Sequence, residues 1–76
     1  MSEAEWIDIF GDNLREMLSE YGITQRELAD EAGLSESTVS RYLNKQMAPS
    51  IFAVINIAHV LNCSIDELVD FGDRIA

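Results

Sequence analysis

Apolar residues recur at three- and four-residue spacing in successive short stretches of this chain, and each stretch is broken by glycine, asparagine or proline. That period belongs to amphipathic helices and not to strands, which would alternate every second residue. Trp6, Phe10, Leu14, Met17, Leu18 and Tyr21 predict a first helix from about Ala4 or Ile7 to Tyr21, ended by Gly22. Its opposite face carries Asp8, Asp12, Glu16 and Glu20, a row of like charges four residues apart that weakly destabilises an isolated helix. Arg15 is placed to relieve part of that repulsion. Thr24 and Glu27 then form a T-x-x-E capping box, so a second helix begins near Gln25 and stops at Gly33, where a left-handed backbone permits a sharp reversal. Ser35 is the N-cap of a third helix beginning near Glu36. Ile23, Leu28, Ala32, Leu34, Val39 and Leu43 point inward, which leaves Gln25, Glu36, Ser37, Thr38, Ser40, Arg41 and Asn44 to solvent.

Beyond the third helix, Pro49 cannot extend it and pushes Ala48 toward an extended backbone, so N-K-Q-M-A-P is a loop and Ser50 the next N-cap. Ile51, Val54, Ile57, Ala58 and Leu61 give a fourth helix its inward stripe, and Asn62 ends it. Ser64 and Glu67 make a further capping box. The fifth helix, about Ile65 to Phe71, is too short to stand alone and should depend on packing through Ile65 and Leu68. The expected fold is all-α, five helices in one compact domain. Phe52, Ile55 and Val60 lie off the inward stripe, and Phe71 and Ile75 add apolar surface; a dimer interface and a wider core explain them about equally well.

The stretch from Ile23 to Leu43, I-T-Q-R-E-L-A-D-E-A-G-L-S-E-S-T-V-S-R-Y-L, reads as two helices joined by a glycine turn. It resembles the helix-turn-helix of the lambda repressor and Cro superfamily, also called the Xre family, with the motif at 24–44. The resemblance continues through R-Y-L-N-K-Q-M-A-P-S and I-F-A-V-I-N-I-A-H-V-L-N-C-S-I-D-E-L-V and covers about Phe10 to Phe71. Gln25, Ala29, Gly33, Val39, Asn44, Pro49 and the S-I-D-E-L ending stand in the family's order and spacing. The resemblance implies the family's compact five-helix fold and sequence-specific binding of double-stranded DNA, most simply by a small repressor of phage or mobile-element type. It also implies that the second motif helix enters the major groove while the first straddles the backbone.

Residue by residue, Gln25 matches a position that binds a phosphate through its amide and side chain, at a helix N-terminus that carries partial positive charge. Glu36, Ser37 and Thr38 match the variable base-reading positions, with Ser40 further along the same helix. Ser37, Arg41 and Asn44 share one face by i, i+4, i+7 spacing. Arg41 is the best specificity candidate, because a guanidinium can donate twice to guanine, a contact worth about 1–3 kcal/mol against a wrong base. Asn44, Lys45 and Gln46 are expected at phosphates. Glu36 departs from the pattern: it either accepts from cytosine N4 or merely caps the helix and weakens binding.

Charge complicates that expectation. The 76 residues carry a net charge of −9, and a polyanion is repelled by acidic surfaces. The distribution is uneven. Residues 1–36 hold ten acids against Arg15 and Arg26, residues 37–65 hold Arg41 and Lys45 with no acid, and 66–76 are acidic again. The basic segment coincides with the reading helix and its following loop. With about three to five phosphates neutralised per monomer at most, affinity should depend only shallowly on salt. A rival class is a protein-interaction module, an antirepressor or antitoxin-like partner that keeps the fold and docks its acidic first helix on a basic protein partner.

A hydrophobic fraction of 47% suits one modest core, and the whole of 1–76 is expected to be a single domain without a separate sensing unit. One cysteine excludes an internal disulfide, and His59 with Cys63 lacks a third metal ligand, so no metal or cofactor is expected and the reducing cytoplasm is the expected location. No nucleophile, base and orienting group converge, which argues against an enzyme. No apolar run reaches membrane-spanning length, and the acidic start is unlike a signal peptide. Trp6, Phe10 and Tyr21 read as core or edge residues rather than a base-stacking platform, and Tyr42 as half-buried beside Val39. A homodimer is the expected assembly, since two reading helices one turn apart, about 34 Å, would select a pseudo-palindromic operator.

Overall fold

A computed structural model describes residues 1–70, so Phe71 and Ile75 of the expected apolar surface lie outside the described residues. The described chain forms α1 (Glu3–Tyr21), α2 (Gln25–Ala32), α3 (Glu36–Leu43), α4 (Ile51–Leu61) and α5 (Ile65–Leu68), and contains no strand. Each helix starts at a hydroxyl that satisfies an otherwise orphaned backbone donor. Ser2 accepts from the Glu5 N–H at 3.1 Å while the Glu5 carboxylate accepts from the Ser2 N–H at 3.2 Å. This box starts α1 one residue before Ala4. Thr24 and Glu27 make the same reciprocal pair at α2, at 3.1 and 3.2 Å. Ser35, Ser50 and Ser64 each accept from the N–H three residues on.

The helix ends follow from residues that tolerate a left-handed backbone. Gly22 and Gly33 close α1 and α2 at φ 67° and 69°, and Asn62 closes α4 at φ 52°. Helix α5 is shorter than expected, with Val69 already its C-cap. Its end is tied instead by a side chain of α1: the Asn13 amide donates to the carbonyls of Leu68 and Asp70, both at 2.9 Å.

Helix α2 packs on α3 and α4, and α1 packs on α3 and α5. The buried residues that fill the space between them include Phe10, Leu14, Leu28, Val39, Ile57 and Leu68. Four expectations about burial change. Tyr42 is 4% exposed rather than half-buried, because its ring meets Phe10 edge-on at 5.8 Å in the seam between α1 and α3. Tyr21 is exposed at the last turn of α1, while Ile9 is buried, so the buried arc of α1 sits one residue round from the expected stripe. Ile51 is 71% exposed. At 3.6 residues per turn it lies roughly 90° from the centre of the buried stripe Ala53, Val54, Ile57, Ala58 and Leu61. Ile65 is also exposed, which leaves Leu68 to anchor α5.

Candidate nucleic-acid interface

The reversal between α2 and α3 is compact because Gly33 turns left-handed and the Leu34 N–H donates back to the Ala29 carbonyl at 2.9 Å. Val39, Tyr42 and Leu43 then bury one face of α3. The other face carries the polar groups singled out from the sequence. Glu36, Ser37, Arg41 and Asn44 are exposed, and Thr38 and Ser40 are half-buried. Two of these hydroxyls are already oriented. Those of Ser35 and Thr38 lie 2.7 Å apart, and the Ser40 hydroxyl accepts from the Asn44 side-chain amide at 3.2 Å. Arg41 extends from the last turn of α3, and Glu36 stands in its first turn, where it favours the helix dipole.

Gln25 is exposed at the first position of α2. The first intrahelical bond there is Leu28 N–H to Thr24 carbonyl, and Thr24 takes the Glu27 N–H, so the amides of Gln25 and Arg26 precede the hydrogen-bonded ladder. Beside them is a shallow depression lined by Arg15, Leu18, Ile23, Thr24, Gln25 and Leu43. Arg15 reaches this depression from α1 and donates to the Leu43 carbonyl at 3.1 Å. A helix N-terminus next to a guanidinium suits an anionic oxygen. The sequence located Gln25 but not Arg15, whose place depends on a crossing of α1 over α3 that no local signal reveals.

Lys45 is engaged within the chain. Expected at a phosphate, its ammonium lies 2.7 Å from both Asp8 and Asp12 on α1. Hydrogen bonds to Asp12 and then to Asp8 raise its pKa above the ordinary lysine value. The row of acids on α1 is thus relieved at Asp8 and Asp12 by a lysine from the loop after α3. Elsewhere, His59 is exposed, and burial followed by the charge of Glu67 pushes the Cys63 thiol up from its usual pKa. Among the described residues no three histidine, cysteine or carboxylate side chains gather to hold a metal, and no helix is long and apolar enough to cross a membrane.

Comparison with known proteins gives this geometry its context. The helix-turn-helix family matches residues 14–68. An uncharacterized HTH-type transcriptional regulator of Archaeoglobus fulgidus is 35% identical over 61 residues, spanning 80% of this chain and 87% of the relative. A putative HTH-type transcriptional regulatory protein of Methanococcoides burtonii is 31% identical over 65 residues, which are 86% of this chain but 20% of that longer protein. Among solved structures, the restriction-modification controller protein C.AhdI from Aeromonas hydrophila superposes with a TM-score of 0.78 at 31% identity, covering 82% of this chain and 94% of that one. The capped α2, the left-handed glycine turn, the exposed polar face of α3 and these matches lead to one assignment: this chain belongs to the lambda repressor-like helix-turn-helix family of DNA-binding transcriptional regulators.

Proposed function

We propose that the chain is a repressor that binds a pseudo-palindromic operator as a homodimer, with α3 in the major groove and the start of α2 against the backbone. The observation that carries this reading is the exposed face of α3, where Ser37, Arg41 and Asn44 project from the one long segment of the chain without an acid. Arg41 reads guanine, Ser37 and Thr38 contact base edges near the start of the helix, and Ser40 and Asn44 act as a hydrogen-bonded pair toward the backbone. Gln25 holds a phosphate at the α2 N-terminus. Glu36 is the least favourable group on this face, since its carboxylate approaches a polyanion. The protein works in the cytoplasm and needs no cofactor.

The dimer is supported by α4, where Ile51, Phe52 and Ile55 are 71%, 68% and 48% exposed on one side of the helix. Three large apolar side chains in one stripe are what a second copy would cover. Selection from a random duplex library at low salt, with Arg41→Glu run in parallel, tests the whole reading. Enrichment of a two-fold symmetric site by the wild type alone supports it. Equal retention by Arg41→Glu refutes the assigned face, and no enrichment by either protein shifts the function to the protein-partner class.

A further inference from the structure

Lys45 and Gly11 each break a local rule of helix design, and they do so where they touch. Helix α3 ends in a Schellman arrangement: the Lys45 N–H donates to the Tyr42 carbonyl at 3.2 Å and the Gln46 N–H to the Arg41 carbonyl at 2.9 Å. The left-handed residue of such an ending is usually glycine, yet here it is lysine, at φ 60°. Facing it in the middle of α1, where almost any side chain favours the helix more, stands a buried glycine. A methyl group on Gly11 would lie 2.9 Å from the Lys45 Cγ and 3.0 Å from the Tyr42 carbonyl oxygen. The lysine stem therefore crosses α1 over bare backbone, and its Nζ ends 2.7 Å from Asp8 and 2.7 Å from Asp12. A strained side chain on one element and a missing one on the next persist only where their surroundings hold them.

We propose that Lys45 is a positioning residue: its ammonium is the counter-ion of Asp8 and Asp12, fixes the C-terminal end of α3 on α1, and neutralises no DNA phosphate. The inference rests on the reading of α3 as the recognition helix. Two of the three ammonium hydrogens are directed at carboxylates, and moving to a phosphate would trade two charge-assisted bonds for one. It would also turn Asp8 and Asp12 toward the polyanion without that counter-charge. Arg15 fastens the same end of α3 through the Leu43 carbonyl, so α1 grips the last turn of the recognition helix at two points. Arg41 sits one turn before Lys45, and its reach to a base edge depends on that grip.

The test compares wild type, Lys45→Met and Asp8→Asn/Asp12→Asn on the selected operator and on a mixed-sequence duplex over a range of salt. Loss of a phosphate contact would make the dependence of log K on log salt shallower by about 0.9 and weaken both duplexes alike. The proposal instead expects Lys45→Met to keep the wild-type slope while the ratio of operator to mixed-sequence affinity falls. Asp8→Asn/Asp12→Asn lowers that ratio equally, and the triple variant lowers it no further. Glu16→Gln/Glu20→Gln, which removes as much negative charge away from Lys45, leaves the ratio unchanged. A slope shallower by about 0.9 in Lys45→Met, with the ratio intact, overturns the proposal. If wild type binds neither duplex, the DNA reading itself fails, and the counter-ion assignment is then decided alone. The chain holds one lysine, so lysine-selective labelling gives a single side-chain signal whose titration must move down in Asp8→Asn/Asp12→Asn. An unmoved titration refutes the counter-ion role.

Discussion

Replacing Gly11 with alanine sets two terms of opposite sign against each other, and the structure says which is larger. Helix propensity alone favours the change by about 0.8–1.0 kcal/mol, since Gly11 lies in the interior of a 19-residue helix. Packing opposes it. The new Cβ would meet Lys45 Cγ at 2.9 Å and the Tyr42 carbonyl oxygen at 3.0 Å. The lysine stem can move only by drawing Nζ away from Asp8 and Asp12, and the carbonyl is backbone that already accepts the Lys45 N–H. Overpacking of this kind costs typically about 1–3 kcal/mol, so the net effect is a loss of about 1 kcal/mol. In a domain of this size that lowers the thermal midpoint by roughly 4–8 °C. Urea denaturation with an unchanged m-value measures it directly. In a Lys45→Gly background, which removes the stem and eases the left-handed backbone, the penalty shrinks toward what the Tyr42 contact alone imposes. A Gly11→Ala protein more stable than wild type by the propensity term would refute the account of why a glycine stands there.

Thr24→Ala removes the hydroxyl half of the α2 capping box and is expected to cost about 1 kcal/mol by urea denaturation, more than Ser2→Ala at the exposed first turn of α1. Equal losses would mean that the cap at the motif is worth no more than one at a fraying end. In a Tyr21→Phe background Tyr42 is the single tyrosine of the chain, and its phenolate absorbance should appear above the usual pKa of 10.0, because burial disfavours the charged form. The sign follows: this contribution to stability is fully present below about 10, the unfolded value, and is lost as pH rises from there through the folded value. A Tyr42 titration at or below the ordinary value would contradict its burial. Phe52→Asp should yield a monomer by light scattering that still unfolds cooperatively, since the side chain is 68% exposed in the single chain, with a thermal midpoint that no longer depends on protein concentration, and should weaken operator binding. A dimer that persists in the variant places the interface elsewhere.

What could be read from the sequence divides by distance along the chain. Caps are local, so Thr24, Ser35, Ser50, Gly22, Gly33 and Asn62 announced the helix ends from side-chain chemistry within a few residues. The Ser2–Glu5 box was equally visible, and the expected start at Ala4 or Ile7 put more weight on the apolar period than on the cap. Phase was legible only approximately. An amphipathic stripe fixes which side is buried but not how far the neighbours reach round it, which is why Ile9 and Tyr42 went in while Ile51 and Ile65 stayed out. The ties that orient the motif on the rest of the fold were not legible at all. Asn13 to Leu68 and Asp70, and Arg15 to Leu43, join positions 28–57 residues apart. Lys45 is the sharpest case, because a basic residue after a recognition helix and a basic residue paired to acids on α1 look alike in one dimension.

The pairing of Lys45 also bears on how a chain of net charge −9 reads DNA. Nonspecific affinity comes mainly from phosphate neutralisation and scales with the cations presented to the backbone. Here the acid-free segment holds two cations, and one is occupied by α1. On the proposed reading, the remaining backbone contacts fall to Gln25, the amides at the start of α2 and hydrogen bonds from groups such as Asn44. These depend on geometry more than on charge. The proposed interface would therefore be weak on arbitrary sequence and improved mainly by base contacts, so that Arg41, as the proposed guanine reader, would carry a larger share of the total than it would on a basic domain. Discrimination then depends on keeping α3 in a fixed attitude, since a bidentate guanidinium tolerates little error in angle. The two grips of α1 on the end of α3, Arg15 on the Leu43 carbonyl and the Asp8–Asp12 pair on Lys45, supply that rigidity from the acids that otherwise oppose binding.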